Sequence, residues 1–119
     1  MEILYDDKKV KVLFDNFAIM SSTKGHELTK HVKIRYEQLR AAETFYDYYK
    51  TGLGKPHRLE HDKNNLYAIR LTGNIRLLVR PVVENEDYSV ESLKKCRKVT
   101  IIGVEDYHGK KKKSRTYIP

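Results

Sequence analysis

The chain has 119 residues, 39% hydrophobic and 34% charged, a length and polarity that fit one compact domain and argue against a two-domain enzyme or a wholly disordered chain. Lysine and arginine number 24 against 16 aspartate and glutamate, a formal charge of +8, which points to a polyanionic partner: nucleic acid, an acidic protein or an anionic membrane. The start lacks the basic then apolar pattern of a secretory signal, and no apolar run approaches the ~20 residues that cross a bilayer. Cys96 stands alone, so no intrachain disulfide can form, and the expectation is a soluble, cytoplasmic protein.

Glu2–Tyr5 is short and mostly apolar, an opening strand. From Lys8, apolar residues recur at Val10, Leu13, Phe14 and Phe17, a spacing that lines one helix face. Residues 20–25 form a polar break, and Leu28, Val32, Leu39 and Ala42 repeat as on a long second helix. Residues 43–50 are a tyrosine-rich short helix or turn, closed by Gly52, Gly54 and Pro56. The period then changes from helical to two. Tyr67, Ile69 and Leu71 alternate with Leu66, Ala68 and Arg70, the segment 72–74 turns, and Ile75, Leu77 and Val79 alternate with Arg76, Leu78 and Arg80. This reads as a β-hairpin with one basic face. Residues 82–98 read as a mobile polar excursion, residues 99–104 as the last strand, and residues 109–119 as a basic tail following a single domain over residues 1–108. The layout is α+β: an N-terminal strand and two helices packed on one face of a mainly antiparallel four- to five-stranded sheet, the other face being left for a ligand.

Asp106-Tyr107-His108 gathers, where a strand meets a loop, three residue types that move protons or orient water; a polar strand terminus would read the same. The pair His57 and His61, near Asp62, suggests a metal site, but on an extended chain four residues separate the imidazoles by about 13 Å, too far to share one ion. His57 remains a candidate acid, base or phosphate contact. Arg70, Arg76 and Arg80 on one face would suit a phosphate, whose oxygens match the guanidinium fork; pairing with Glu60, Asp62 or Glu105 is the plainer alternative. Lys110, Lys111, Lys112, Lys113 and Arg115 hold five of the eight net charges and suit sequence-indifferent phosphate binding or a solvated tail. Cys96 among basic neighbours reads as an incidental surface thiol or a more reactive one, and Tyr46, Tyr48 and Tyr49 as core caps or stacking surfaces.

Gly54-Lys55-Pro56-His57-Arg58-Leu59, Asn65-Leu66-Tyr67-Ala68-Ile69-Arg70, Gly73-Asn74-Ile75-Arg76-Leu77 and Val104-Glu105-Asp106-Tyr107-His108, in that order, resemble the RelE/ParE superfamily of bacterial toxins, most closely its HigB-like killer-protein branch. The resemblance covers about residues 54–108, with the helical half similar only in pattern. It implies a RelE-like fold and a type II toxin that cuts mRNA in the ribosomal A site. Such toxins need no metal or other cofactor and are silenced by a cognate antitoxin in a hetero-oligomer; in the HigB-like branch the antitoxin is helix-turn-helix and HigA-like. By the same resemblance, His57 and His108 are a proton-transfer pair, Arg76 binds the scissile phosphate, Asp106 orients His108 and Tyr107 positions or stacks, while Arg70, Arg80 and the basic tail hold RNA. Glu60 departs from the pattern, standing where many relatives carry lysine. The alternatives are a ParE-like toxin that acts on gyrase and a non-catalytic RNA-binding module.

Overall fold

The structure, a computed structural model, describes residues 1–60, 64–106 and 115–119. Its elements in chain order are β1 (Glu2–Tyr5), α1 (Lys8–Asp15), α2 (Phe17–Lys24), α3 (His26–Ala41), α4 (Phe45–Thr51), β2 (His57–Arg58), β3 (Tyr67–Thr72), β4 (Ile75–Pro81), a single 3-10 turn at Glu84–Glu86, α5 (Val90–Leu93), β5 (Lys98–Asp106) and β6 (Arg115–Ile118). The α+β layout expected from the periodicities is present, with strand first, helices next and a mainly antiparallel sheet after them.

The helical half is divided more finely than its apolar spacing predicts. The stripe from Val10 to Phe17 crosses a break at Asn16, whose backbone is extended and whose side chain accepts from the amides of Ala18 and Ile19, capping a new helix. An apolar stripe reports which side faces the core and is blind to a cap set within it. Residues 20–24, expected as a polar break, therefore belong to α2, which ends at Gly25. Asp7 caps α1 by accepting from the Lys9 amide at 2.7 Å, and Thr44 caps α4 by accepting from the Asp47 amide at 3.1 Å.

The sheet runs β1-β5-β4-β3-β2; β1 lies parallel to β5 and every other pairing is antiparallel. One flank of β5 is taken by β4, and the other is shared end to end, by β1 over residues 98–101 and by β6 over residues 104–106. On the helix side, Val10, Phe14, Val32, Leu39, Phe45 and Tyr48 pack on Ile69, Leu77, Val79, Ile101 and Val104. The opposite face carries a smaller apolar island of Leu59, Leu66, Ala68 and Leu78, flanked by Ile102.

Two expectations about the C-terminal third are corrected. Residues 82–98 are folded: Asp87 accepts from the Ser89 amide and the Ser92 hydroxyl, Ser89 caps α5, and Leu93 and Cys96 are buried in the main core. The polar residues there satisfy helix and turn ends, while buried Leu93 and Cys96, with Val83 and Tyr88 packed against the same core, anchor the segment. Cys96 is thus neither a surface thiol nor an activated one, since burial pushes its pKa up. The end of the basic tail is also structured, because Arg115–Ile118 forms β6 and Ile118 is fully buried. Gly103 lets that strand close, for a Cβ on it would lie 2.2 Å from the Ile118 carbonyl oxygen. No helix among the described residues is long and apolar enough to cross a membrane.

Candidate active site

The loop that delivers His57 is built by backbone conformation. Gly54 (φ +75°) and Lys55 (φ +47°) both occupy the left-handed region, turning the chain out of α4 and back along β3. Gly54 is also hemmed in: a Cβ would sit 2.6 Å from Cγ2 of Ile69 and 2.9 Å from Nε of Arg35. The Arg70 amide donates to the Gly54 carbonyl at 2.7 Å, and Arg35 Nε donates to the Arg70 carbonyl at 2.9 Å, so α3, the loop and β3 are tied at one point. Neither Arg35 nor this role of Gly54 is legible in a linear motif, because both depend on contacts across the fold.

His57 is exposed on the edge strand, with Nδ1 3.2 Å from the carbonyl of Lys55. A carbonyl can only accept, so Nδ1 carries the hydrogen and Nε2 of the neutral ring is left as the acceptor. The register puts His57 opposite Ala68, Ala68 opposite Leu78, Arg70 opposite Arg76, and Arg76 opposite Glu105. Cross-strand partners share a face, so His57, Arg70, Arg76 and Glu105 all lie on the side away from the helices. Sheet spacings put the His57 backbone about 8 Å from Arg70 and about 12 Å from Arg76. Those separations let the three side chains reach one anion.

Arg76 is half-buried and anchored at the hairpin turn, its Nη1 donating to the carbonyls of Gly73 at 2.7 Å and Ile75 at 3.3 Å. Partial burial, then the Arg70 guanidinium, pull its pKa below the ordinary arginine value, and Asp106 opposes them. It stays protonated at neutral pH nonetheless. Among the described residues neither Arg70 nor Arg76 makes an ion pair with a carboxylate. Two neighbouring guanidiniums on one face offer donors that match an anion's oxygens, with the Glu105 carboxylate opposite Arg76 on that same face.

Asp106 ends β5 opposite Ile75 on β4 and Arg115 on β6, within electrostatic reach of Arg76. Arg80 does not join the other arginines. It is bound to Asp6 at 2.5 Å, at the β1 end of the sheet, and the apolar island containing Leu78 separates it from Arg76. The expected continuous basic face is therefore split, because Leu78, Ala68 and Leu59 occupy its middle. Tyr107, His108 and Lys110, Lys111, Lys112 and Lys113 lie outside the described residues, as do His61 and Asp62, and Arg115 is described only through its backbone.

Arg58, next to His57 on β2, has surroundings that no linear motif reveals. Its guanidinium carbon lies 4.6 Å from the ring centroid of Tyr88, and its Nη2 donates to Asn65 Oδ1 at 2.5 Å. Tyr88 comes from the excursion, so only the folded chain brings these residues together.

Comparison with protein-family models, with curated proteins and with solved structures finds no match.

Proposed function

We propose that this protein is a metal-independent, ribosome-dependent mRNA endonuclease, the toxin of a type II toxin-antitoxin system working in the cytoplasm and held in check by a helix-turn-helix antitoxin of HigA-like type. The observation that carries the reading is the shared open face of His57, Arg70 and Arg76, which adds a register to the resemblance of the four motifs. RNA supplies its own nucleophile, so the protein need only align, transfer protons and neutralise charge. His57, with Nδ1 committed to Lys55, takes the 2′-hydroxyl proton on Nε2. The oxygen attacks phosphorus, Arg76 and Arg70 balance the charge on the non-bridging oxygens, and the bond to the 5′ oxygen breaks as that oxygen receives a proton from His108. The products are a 2′,3′-cyclic phosphate and a 5′-hydroxyl. Asp106 orients His108, and Tyr107 positions the substrate.

An in vitro translation reaction with mapping of mRNA ends tests the reading. Ribosome-dependent cuts by the wild type, lost in His57→Ala with folding and antitoxin binding intact, are the expected result. Gyrase cleavage complexes without mRNA cuts, or RNA binding without cuts, would replace it with a gyrase poison or a non-catalytic module.

A further inference from the structure

The pairing of Arg58 with Tyr88 suggests more than a fastening. An arginine side chain has many rotamers, and an exposed one ordinarily samples them. Here the guanidinium is supported from below by an aromatic ring and held at its end by the Asn65 amide. Tyr88 is itself fixed, half-buried against the main core with its ring 6.5 Å from that of Tyr67. Arg58 is exposed and, among the described residues, makes no ion pair, so its charge has no carboxylate to serve. Its position adds a second reason. His57 and Arg58 are consecutive on β2, the edge strand of the main sheet path, and alternate to opposite sides of it. An RNA strand passing that edge with one phosphate on the His57 side brings an adjoining nucleotide past Arg58. Guanidinium planes are stacking surfaces for unpaired bases, and a pre-positioned one loses little entropy on binding.

We propose that Arg58, carried on Tyr88 and tethered by Asn65, is a stacking platform for an unpaired nucleobase next to the phosphate held by His57, Arg70 and Arg76. The inference rests on the endoribonuclease reading and deepens it, assigning a residue that positions substrate and influences where the cut falls. Stacking needs the plane, whereas a simple phosphate contact needs only the charge, and Arg58→Lys separates the two.

The test is the translation reaction, with cleavage rate, dependence on ribosome–mRNA concentration and distribution of cut sites read for wild type, Arg58→Lys, Arg58→Ala, Tyr88→Phe and Tyr88→Ala. Arg58→Lys and Arg58→Ala should both need about tenfold more substrate for half-maximal rate and should redistribute the cuts, while Tyr88→Phe retains the ring and behaves as wild type. Arg58 is exposed, so its variants keep the fold even if Tyr88→Ala does not. Should Arg58→Lys match wild type in all three readouts, the platform is overturned: Arg58 is then a charge contact if Arg58→Ala is weak, and only a clamp on Tyr88 if Arg58→Ala merely lowers the melting temperature. If the wild type makes no cuts at all, the endoribonuclease reading itself fails, a result distinct from either.

Discussion

Arg76 shows how much one side chain can do through geometry rather than charge. Its Nη1 is occupied by two turn carbonyls, which leaves the remaining edge of the fork to meet a phosphate. Arg76→Lys keeps the charge and loses the fork, so cleavage should fall at least tenfold, and Arg76→Ala should cost about 10²- to 10³-fold, the scale seen when one donor to a developing oxyanion is removed. The stability cost is about 1 kcal/mol, since only two partly exposed hydrogen bonds are lost; chemical denaturation beside single-turnover cleavage checks both. A different residue-scale effect belongs to buried phenols and the thiol. Burial raises Tyr48, whose hydroxyl donates to the Leu53 carbonyl, to about 12 from an ordinary 10.0, and raises Tyr5 and Cys96 as well. Groups whose pKa is higher folded than unfolded stabilise fully below the unfolded value and lose that contribution as pH rises through the folded one. Unfolding free energy should therefore hold level up to about pH 9 and fall between there and about pH 12. Tyr48→Phe should make that alkaline fall shallower.

At the scale of elements, Gly103 decides how closely β6 meets β5. Gly103→Ala would force β6 off β5, because the added carbon meets the backbone at Ile118 and Pro119 rather than a yielding side chain. Ile118→Ala removes the buried anchor of the same strand at a cost of about 2–5 kcal/mol. Both should lower the melting temperature and raise amide exchange in β6. If Ile118→Ala melts like wild type, β6 does not contribute to the core. The hairpin β3-β4 and the strand β1 were legible because alternation and a short turn act locally. The split of α1 from α2 was not, since Asn16 looks like any polar residue until its side chain is seen on the Ala18 and Ile19 amides. The burial of Leu93 and Cys96 was hidden by charged neighbours that sit on the outside of the same turns. Of the candidate site, the shared face of Arg70 and Arg76 could be read from a two-residue period across a turn. The detour of Arg80 to Asp6 could not, because its partner is 74 positions away in the chain.

For the whole molecule, positive charge is spread unevenly along the chain. Lys110, Lys111, Lys112, Lys113 and Arg115 carry five of the net +8, so substrate affinity should fall steeply with salt. Replacing the four lysines with alanine should reduce the slope of log affinity against log salt by up to about three if all four meet phosphates. Titration of ribosome binding over a salt series measures this, and an unchanged slope would show that the lysine run touches no RNA.

The two neighbours sharing one flank of β5 lie at opposite ends of the chain. A nascent chain emerging from the exit tunnel offers β1 and the helices first, but β5 lacks one partner or the other until residues 98–118 are all outside. A chain stalled before residue 115 therefore holds an incomplete sheet, with Asp106 not yet braced by β6. Chains arrested before residue 115 should be cut readily by protease, and chains long enough to bring residues 115–118 out should resist it, because only then is the free flank of β5 closed.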